Sequence, residues 1–297
     1  MNSNLKSYAP SLTVFETIKA YGRLMRLHLP LITPLYLCPA LWASSLASPH
    51  VSPQILIVFL LGSVLIRGAG CTINDLVDHD IDRHVRRTKE RPIAAGLISK
   101  RQALVFAICQ FLLALGLLLT LNKTTILLGS LIVVPIFIYP FLKRFTYWPQ
   151  IFLGMIVNWG CLMGWTSVTN TLALPALVLY VACLFWTIGY DTVYAFQDYE
   201  DDQRLGLKSS ALKVGLQKGV FFVRLCYVLF FSGLLGVALF LKNPIFGFSL
   251  IPLIPLIFLK LKYLSLKDPS SCGDFFRWNG KMGFLIWAGI LLANFVR

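Results

Sequence analysis

The sequence has little charge, and acidic residues are its scarcest component. Of its 297 residues, 57% are hydrophobic, 13% are charged and only 13 are aspartate or glutamate. Soluble domains carry about 25% charged residues, so this composition excludes an ordinary cytosolic enzyme and a disordered chain. The 27 lysines and arginines give a net charge of +14, which in a soluble protein would indicate a nucleic acid partner. In so apolar a chain we expect no nucleic acid and attribute the excess to membrane topology.

Long apolar runs are abundant, whereas the alternating pattern of a membrane β-barrel is absent. Segments that span a bilayer as helices need about 20 residues and satisfy their own backbone hydrogen bonds. The sequence therefore predicts an all-α polytopic membrane protein with about nine transmembrane helices. The predicted spans are 25–47, 52–74, 102–121, 124–142, 149–168, 172–196, 219–241, 243–260 and 279–296. Prolines at 30, 34, 39, 252 and 255 are expected to kink their helices.

Basic residues favour one face of the predicted membrane protein. With the N-terminus inside, 22 of the 27 lysines and arginines fall on the inner face, and only Lys123, Lys242 and Arg297 lie outside. This asymmetry predicts a cytoplasmic N-terminus. The first two dozen residues lack the features of a signal or transit peptide, so we expect a bacterial inner-membrane protein. No Cys-x-x-Cys pair exists, and the cysteines are interpreted as packing residues.

Ten of the 13 acids fall in two short segments, 75–90 and 191–202, at the inner ends of the second and sixth spans. Asn74 and Asp198 are 124 residues apart, as are Asp78 and Asp202. This equal offset predicts one domain, 1–297, built from two related halves at about 20–142 and 149–260.

Helical spacing places the acids of each segment close together. Asp75, Asp78 and Asp82 lie at i, i+3 and i+7, and Asp198 and Asp202 lie at i and i+4. Such like charges repel and destabilise the helix, and the desolvation penalty of the carboxylates grows near the membrane interior. Either nearby lysines and arginines neutralise them, or the carboxylates bind Mg²⁺, whose remaining ligands are water and phosphate oxygens. Two such sets in an acid-poor chain favour Mg²⁺.

Basic residues follow both segments, including Arg86, Arg87 and Lys208. A metal ion together with arginine and lysine is a common clamp for a diphosphate, although the positive-inside rule also places bases there. Combined with apolar helices, the pattern indicates a lipid diphosphate substrate. Metal-bound carboxylates would draw charge from the leaving diphosphate and promote ionisation of an allylic C–O bond.

The two acidic segments resemble the motifs of the UbiA superfamily of intramembrane prenyltransferases. Its N-D-x-x-D-x-x-x-D motif matches Asn74, Asp75, Asp78 and Asp82, and its D-x-x-x-D motif matches Asp198 and Asp202. Three further sequence segments resemble the 4-hydroxybenzoate polyprenyltransferase branch. They are Arg-Leu-Met-Arg at 23–26, Tyr-Pro-Phe-Leu-Lys-Arg at 139–144, and Asp-Thr-Val-Tyr-Ala-Phe-Gln-Asp at 191–198. The resemblance covers about residues 20–220.

The resemblance implies a helical bundle around a central cavity, with Mg²⁺ and a prenyl diphosphate at its cytoplasmic mouth. It implies that Asn74, Asp78, Asp198 and Asp202 hold the metal, with Asp82 and Asp75 in support. Candidate substrate-binding cations are Arg26, Arg86, Arg87, Arg144 and Lys208. We expect Arg144 to bind the carboxylate of 4-hydroxybenzoate, although a role as a positive-inside anchor fits it equally well. We expect Asp191 to orient the phenol or to accept the ring proton.

The implied reaction transfers a polyprenyl group to the ring carbon ortho to the hydroxyl of 4-hydroxybenzoate, an early step of ubiquinone biosynthesis. Sister branches with homogentisate, dihydroxynaphthoate, haem or glycerol-type acceptors share the metal motifs and remain alternatives. A membrane transporter is a third possibility, because intramembrane acids often relay ions. A transporter predicts acids at mid-span, whereas these cluster at one face.

Overall fold

A computed structural model describes residues 13–296, which fold into α-helices and short 3₁₀ turns with no β-strand in that range. Residues 1–12 and Arg297 lie outside the described residues. The predicted charge asymmetry rests partly on them, and the expected lack of a signal peptide rests partly on residues 1–12. The helices are α1 (Val14–Leu24), α2 (Thr33–Ala47), α3 (Pro53–Asp82), α4 (Lys100–Leu118), α5 (Lys123–Leu131), α6 (Val133–Ile138), α7 (Pro149–Val157), α8 (Trp159–Thr169), α9 (Leu174–Ala195), α10 (Tyr199–Arg204), α11 (Ser210–Phe240), α12 (Pro244–Leu250), α13 (Leu253–Lys262) and α14 (Pro269–Val296).

Within residues 13–296, nine helical segments are long and apolar enough to cross a membrane, which confirms the predicted number. Five boundaries differ from the prediction by five residues or more. The first segment begins at Pro30, the second continues as α3 to Asp82, and the sixth continues to Arg204, while the seventh begins at Ser210 and the ninth at Pro269. Hydropathy ends a span where polar residues begin, but α3 keeps its backbone hydrogen bonds beyond that point. The first acidic motif therefore lies on a helix that extends out of the apolar span.

Besides the sixth segment, where a 3₁₀ turn at Phe196–Asp198 separates α9 from α10, three of the nine segments are broken into two helices. The break between α12 and α13 falls at Ile251 and Pro252, as the prolines predicted. The break between α7 and α8 was not predicted and lies at Asn158. The Asn158 side-chain amide donates to the carbonyl oxygens of Gly154 and Cys183, and such local bonds compete with helical ones. The third break lies at Ile132, between α5 and α6.

The core of the bundle lies around α9, which packs against α7, α11 and α14, while α2 packs against α8 and α14. Trp186 of α9 stacks on Phe230 of α11 with ring centroids 5.6 Å apart, and Trp42 of α2 completes this aromatic cluster. The buried Asn279 side chain of α14 accepts hydrogen bonds from the Trp186 indole and the Tyr227 hydroxyl. This packing fixes α9, whose far end carries the second acidic motif.

Candidate active site

The two acidic motifs converge on one cavity, which we call the mouth. Its volume is about 180 Å³, and it lies between the end of α3, the turn after α9 and the connecting 83–99 segment. Both motifs contribute to its wall, as the resemblance implied. The polar and charged residues that line it include Asn74, Asp82, Arg87, Arg91, Tyr139, Lys143, Asp191, Tyr194, Asp198, Asp202 and Lys208.

The four residues expected to hold a metal occupy different depths at the mouth. Asn74, Asp198 and Asp202 line it directly. Asp78 is fully buried, and neither of its carboxylate oxygens has a hydrogen-bond partner. Lys143 Nζ lies 2.6 Å from Asp78 Oδ2, without hydrogen-bond geometry. Lys143 lines the mouth, so it stands between Asp78 and the cavity.

Asp75 and Asp82 of the first motif share one arginine. Arg91 Nη1 lies 3.0 Å from Asp75 Oδ1 and 2.9 Å from Asp82 Oδ2. Asp75 is fully buried, and its Oδ1 also accepts a hydrogen bond from Arg26 Nη2 at 2.6 Å. Because Asp75 does not line the mouth, its placement favours a role as a counter-ion that positions two arginines.

Arg26 adopts a backbone conformation that favours glycine, with φ of 62° just after α1. A non-glycine residue in this region costs about 1–2 kcal/mol. Burial lowers the pKa of Arg26, but the neighbouring Asp75 carboxylate raises it above its ordinary value, so the side chain stays charged. The ion pair with Asp75 helps to hold this strained turn.

The structure distinguishes Arg86 from Arg87, two candidates that the sequence treats alike. Arg87 Nε and Nη2 donate to the two oxygens of Asp198 at 2.8 and 2.5 Å, and Nη1 donates to the Tyr194 hydroxyl at 2.7 Å. Burial lowers the pKa of Arg87, while Tyr194 and Asp198 raise it above its ordinary value. The Arg86 side chain is 74% exposed and lies beside Glu200 and Asp201, outside the mouth.

Lys208 and Arg144 also differ in position. Lys208 lines the mouth and donates to the carbonyl oxygen of Phe145 at 3.1 Å. Arg144 donates to the carbonyl oxygen of Val77 and lines neither the mouth nor the deeper cavities described below. Its position therefore fits an anchor better than a ligand for the acceptor carboxylate.

Beneath the mouth lies a second cavity of about 200 Å³, which we call the chamber. Five residues line both: Asn74, Arg91, Tyr139, Asp191 and Tyr194. Asp191 is 9% exposed, and its side-chain carboxylate has no hydrogen-bonded or ion-paired partner among the described residues. Its carboxylate thus stands where the two cavities meet.

Arg67 also lines the chamber, and our sequence analysis did not identify it as a site residue. It is buried within α3, where Nη1 donates to the Thr33 hydroxyl at 2.7 Å and Nη2 donates to the Arg26 carbonyl oxygen at 3.2 Å. A charged residue inside a membrane span is costly and usually functional. That signal was available in the sequence.

A third cavity, which we call the groove, continues from the chamber. Its volume is about 660 Å³ and its wall is almost entirely apolar. Tyr36, Ile66, Ile136, Ile156 and Val157 line both chamber and groove. The groove also reaches exposed side chains, including Leu112 of α4 and Val134 of α6. It therefore opens at the side of the helical bundle.

Mouth, chamber and groove together define the class of protein: a helical membrane protein with a mouth lined by carboxylates and cations above an apolar cavity. Residues 36–288 match the model of the UbiA prenyltransferase family, and the chain belongs to that family.

Relatives with assigned names agree with this membership. The chain is 39% identical over 287 residues to a 4-hydroxybenzoate octaprenyltransferase of Nitrosomonas eutropha, covering 96% of this chain and 100% of the relative. It is 48% identical over 205 residues to a mitochondrial 4-hydroxybenzoate polyprenyltransferase of Arabidopsis thaliana, covering 67% of this chain and 50% of that protein. A UbiA homologue from Archaeoglobus fulgidus, solved with DMAPP and Mg²⁺, shares the fold with a TM-score of 0.69 at 20% identity, covering 93% of this chain and 98% of the homologue.

Proposed function

We propose that this protein transfers a polyprenyl group from polyprenyl diphosphate to 4-hydroxybenzoate, forming a bond at the ring carbon ortho to the hydroxyl. The reaction breaks the allylic C–O bond and releases diphosphate, and the ring carbon loses its proton to a base. Full-length relatives named 4-hydroxybenzoate octaprenyltransferase support the acceptor over homogentisate, dihydroxynaphthoate or haem. The same relatives support a role in ubiquinone biosynthesis.

The continuity of mouth, chamber and groove is the observation that carries this proposal. The charged mouth suits a diphosphate, the chamber suits a small aromatic acid, and the groove suits an isoprenoid chain. Shared lining residues join each cavity to the next. A diphosphate in the mouth would place the first carbons of its chain in the chamber, next to the acceptor.

The donor groups at the mouth fit Mg²⁺. They are hard oxygens, which this ion prefers, and both oxygens of the buried Asp78 lack a hydrogen-bond partner. The side chains of Asn74 and Asp202 have no hydrogen-bonded or ion-paired partner in the described part of the chain. We assign Asn74, Asp78, Asp198 and Asp202 as the residues that would hold the metal, with Asp82 behind them. Bound there, Mg²⁺ would withdraw charge from the leaving diphosphate.

Cations of the mouth would bind the diphosphate oxygens. Arg87 and Lys208 line the cavity as expected, and Lys143 and Arg91 join them. Charge-assisted hydrogen bonds from arginine to phosphate are short and geometrically specific. We therefore assign Arg87 as the principal diphosphate ligand and omit the exposed Arg86.

We assign Arg67, in place of Arg144, to the carboxylate of 4-hydroxybenzoate. Arg67 lines the chamber, whereas Arg144 does not. Asp191 stands at the opposite boundary, where mouth and chamber meet, and has no partner that would hold it away from a substrate. We assign Asp191 to orient the phenol or to accept the ring proton. The surrounding tyrosines and apolar side chains would keep water from the cation that forms.

The protein is a multi-pass membrane protein with bacterial relatives. We propose that it resides in a bacterial inner membrane with its N-terminus and its mouth on the cytoplasmic side. The positive-inside asymmetry supports this orientation, and a cytoplasmic mouth would receive a water-soluble aromatic acid directly. The two related halves, 20–142 and 149–260, stay a prediction.

Acceptor competition tests the proposed function. Membranes containing the protein are incubated with farnesyl diphosphate, Mg²⁺ and equal amounts of 4-hydroxybenzoate, homogentisate and dihydroxynaphthoate. Mass spectrometry is expected to find prenylated 4-hydroxybenzoate as the main product, with the new bond ortho to the hydroxyl. A main product from homogentisate or dihydroxynaphthoate would assign the chain to a sister branch. No prenylated aromatic product with farnesyl or longer diphosphates would overturn the function.

A further inference from the structure

Two of the carboxylates assigned to the metal already form ion pairs with basic side chains of the protein. Arg87 bonds both oxygens of Asp198, and Lys143 covers Asp78. We propose that Arg87 and Lys143 are internal counter-ions that occupy the metal site until diphosphate arrives. The diphosphate then takes these cations and the metal takes the carboxylates, so that metal and diphosphate bind as a pair. This inference rests on the proposed function.

The Arg87 contacts are those of a specific, directed pair. Its two parallel hydrogen bonds to Asp198 form a bidentate arrangement, and its third donor is held by the Tyr194 hydroxyl. The guanidinium carbon also lies 4.9 Å from the Tyr194 ring centroid. Bidentate arginine–carboxylate pairs are among the stronger polar contacts in proteins. A metal that approaches Asp198 must therefore compete with Arg87.

Arg87 is nevertheless placed to move. It belongs to the 83–99 segment, which consists of turns, and its side chain remains 32% exposed. The neighbouring backbone is fixed separately, because the Arg86 N–H donates to Asp201 and the Thr88 hydroxyl donates to the Asp82 carbonyl oxygen. A rotation of the Arg87 side chain alone would carry its charge from Asp198 to a phosphate oxygen in the mouth.

Lys143 covers the other half of the site. Its Nζ lies 2.6 Å from Asp78 Oδ2, yet neither Asp78 oxygen makes a hydrogen bond. A buried carboxylate without hydrogen bonds is costly unless a charge compensates it. Lys143 is 26% exposed and faces the mouth. Its ammonium therefore compensates Asp78 now and can turn toward an anion when one enters.

The charge balance of the mouth gives the reason for coupled binding. Its lining holds four carboxylates, Asp82, Asp191, Asp198 and Asp202, and four cations, Arg87, Arg91, Lys143 and Lys208. The buried Asp78 beneath adds a fifth carboxylate, and Arg144, whose Nη2 lies 3.7 Å from Asp78 Oδ1, adds a fifth cation. A metal cation alone would enter a formally neutral site and be repelled by the cations it displaces. A diphosphate alone would leave the carboxylates unpaired. Metal and diphosphate together preserve the balance. Consistently, no three His, Cys, Asp or Glu side chains among residues 13–296 are arranged to hold a metal as they stand.

Manganese binding without turnover tests the inference. Free Mn²⁺ is followed by electron paramagnetic resonance on the purified full-length protein, with and without a non-ionising thio-analogue of farnesyl diphosphate. The wild type is expected to bind Mn²⁺ at least about tenfold more tightly when the analogue is present. Arg87→Gln is expected to bind Mn²⁺ alone more tightly than the wild type and to bind the analogue more weakly. Lys143→Met is expected to change both affinities in the same directions.

Two further variants serve as controls. Lys89→Gln removes one exposed charge from the same segment and is expected to match the wild type. Arg87→Lys keeps the cation and is expected to keep metal binding weak in the absence of the analogue. If Arg87→Gln does not fold, the Mn²⁺ affinities of Lys143→Met and Arg87→Lys still test whether the two cations compete with the metal.

Two results would overturn the inference. One is wild-type protein that binds Mn²⁺ equally well with and without the analogue. The other is Arg87→Gln and Lys143→Met variants that bind Mn²⁺ alone no more tightly than Lys89→Gln. If the protein prenylates 4-hydroxybenzoate but gives either result, only the proposal that Arg87 and Lys143 act as internal counter-ions is refuted. A protein that forms no product and binds neither Mn²⁺ nor the analogue refutes the proposed function itself.

Discussion

Four carboxylates of the two motifs, Asp75, Asp78, Asp82 and Asp198, each lie beside an arginine or a lysine, and this pairing separates residues that look equivalent in the sequence. Asp75 and Asp78 are three residues apart, and both are fully buried. Asp75 is enclosed by Arg26 and Arg91, away from the mouth, whereas Asp78 lies under the mouth-lining Lys143. We therefore expect Asp75 to support the structure and Asp78 to participate in ligand binding.

Replacing Arg67 tests how the acceptor is recognised. Arg67→Gln is expected to raise the KM for 4-hydroxybenzoate by about tenfold or more, because a charged hydrogen bond to the carboxylate is lost. The KM for the prenyl diphosphate should change much less. Steady-state kinetics on both substrates measures this difference. A larger effect on 4-hydroxybenzoate from Arg144→Gln than from Arg67→Gln would return the role to Arg144.

Replacing Asp191 tests the proton-transfer role. Asp191→Asn keeps the shape of the side chain and is expected to lower kcat by about 10²–10⁴-fold, the usual contribution of a general base. Mg²⁺-dependent binding of the thio-analogue should persist, since Asp191 is not assigned to the metal. Asp78→Asn should lose that binding. An Asp191→Asn variant with intact turnover would exclude the role.

At the scale of the helices, we expect the groove between α3, α4 and α6 to bind the isoprenoid chain. Gly62 of α3 lines it, and no atom lies within 4 Å of the position that a Cβ would occupy there. The small residue keeps this stretch of the groove open. The wall on the α4 side contains exposed apolar residues, so a long isoprenoid chain can continue outward between the helices.

A bulky side chain at Gly62 should therefore shorten the usable chain. Gly62→Phe is expected to reduce turnover of long polyprenyl diphosphates by about tenfold or more relative to geranyl diphosphate. The phenyl ring would occupy space that the bound long chain needs, and such overpacking costs about 1–3 kcal/mol. Gly116→Phe is the matched control: Gly116 is an exposed glycine of α4 that lines no described cavity. Equal losses for geranyl and long diphosphates in Gly62→Phe would exclude the groove as the chain site.

The helices also show how far the sequence could predict the structure. Hydropathy predicts nine spans because each is an apolar stretch long enough to cross a membrane. It misses the break at Asn158 because the side-chain hydrogen bond to Cys183 is a tertiary contact. The acid motifs are local and were found. The charge of Arg67 inside a span is visible in the sequence, but its position in the chamber depends on contacts with Thr33 and Arg26, which are distant in sequence. Arg86 and Arg87 differ only through the path of the turns that carry them.

At the scale of the whole molecule, nine membrane crossings within residues 13–296 would place Val14 and Val296 on opposite sides of the membrane. Alkaline phosphatase, which folds only outside the cytoplasm, is expected to be active when fused after Lys242 and inactive when fused after Ser265. These positions lie on either side of the eighth candidate span, Pro244–Lys262. The reverse pattern would contradict the proposed orientation and would place the mouth outside.

The central claim is that two motifs 124 residues apart form one metal-dependent diphosphate site. Its most direct test is binding of the radiolabelled farnesyl thio-analogue to purified wild-type, Asp78→Asn and Asp198→Asn proteins, with Mg²⁺ or with EDTA. We predict tight binding to the wild type with Mg²⁺, and loss of that binding on chelation or on either substitution alone. Binding that survives EDTA, or that depends on one motif and not on the other, would contradict the account.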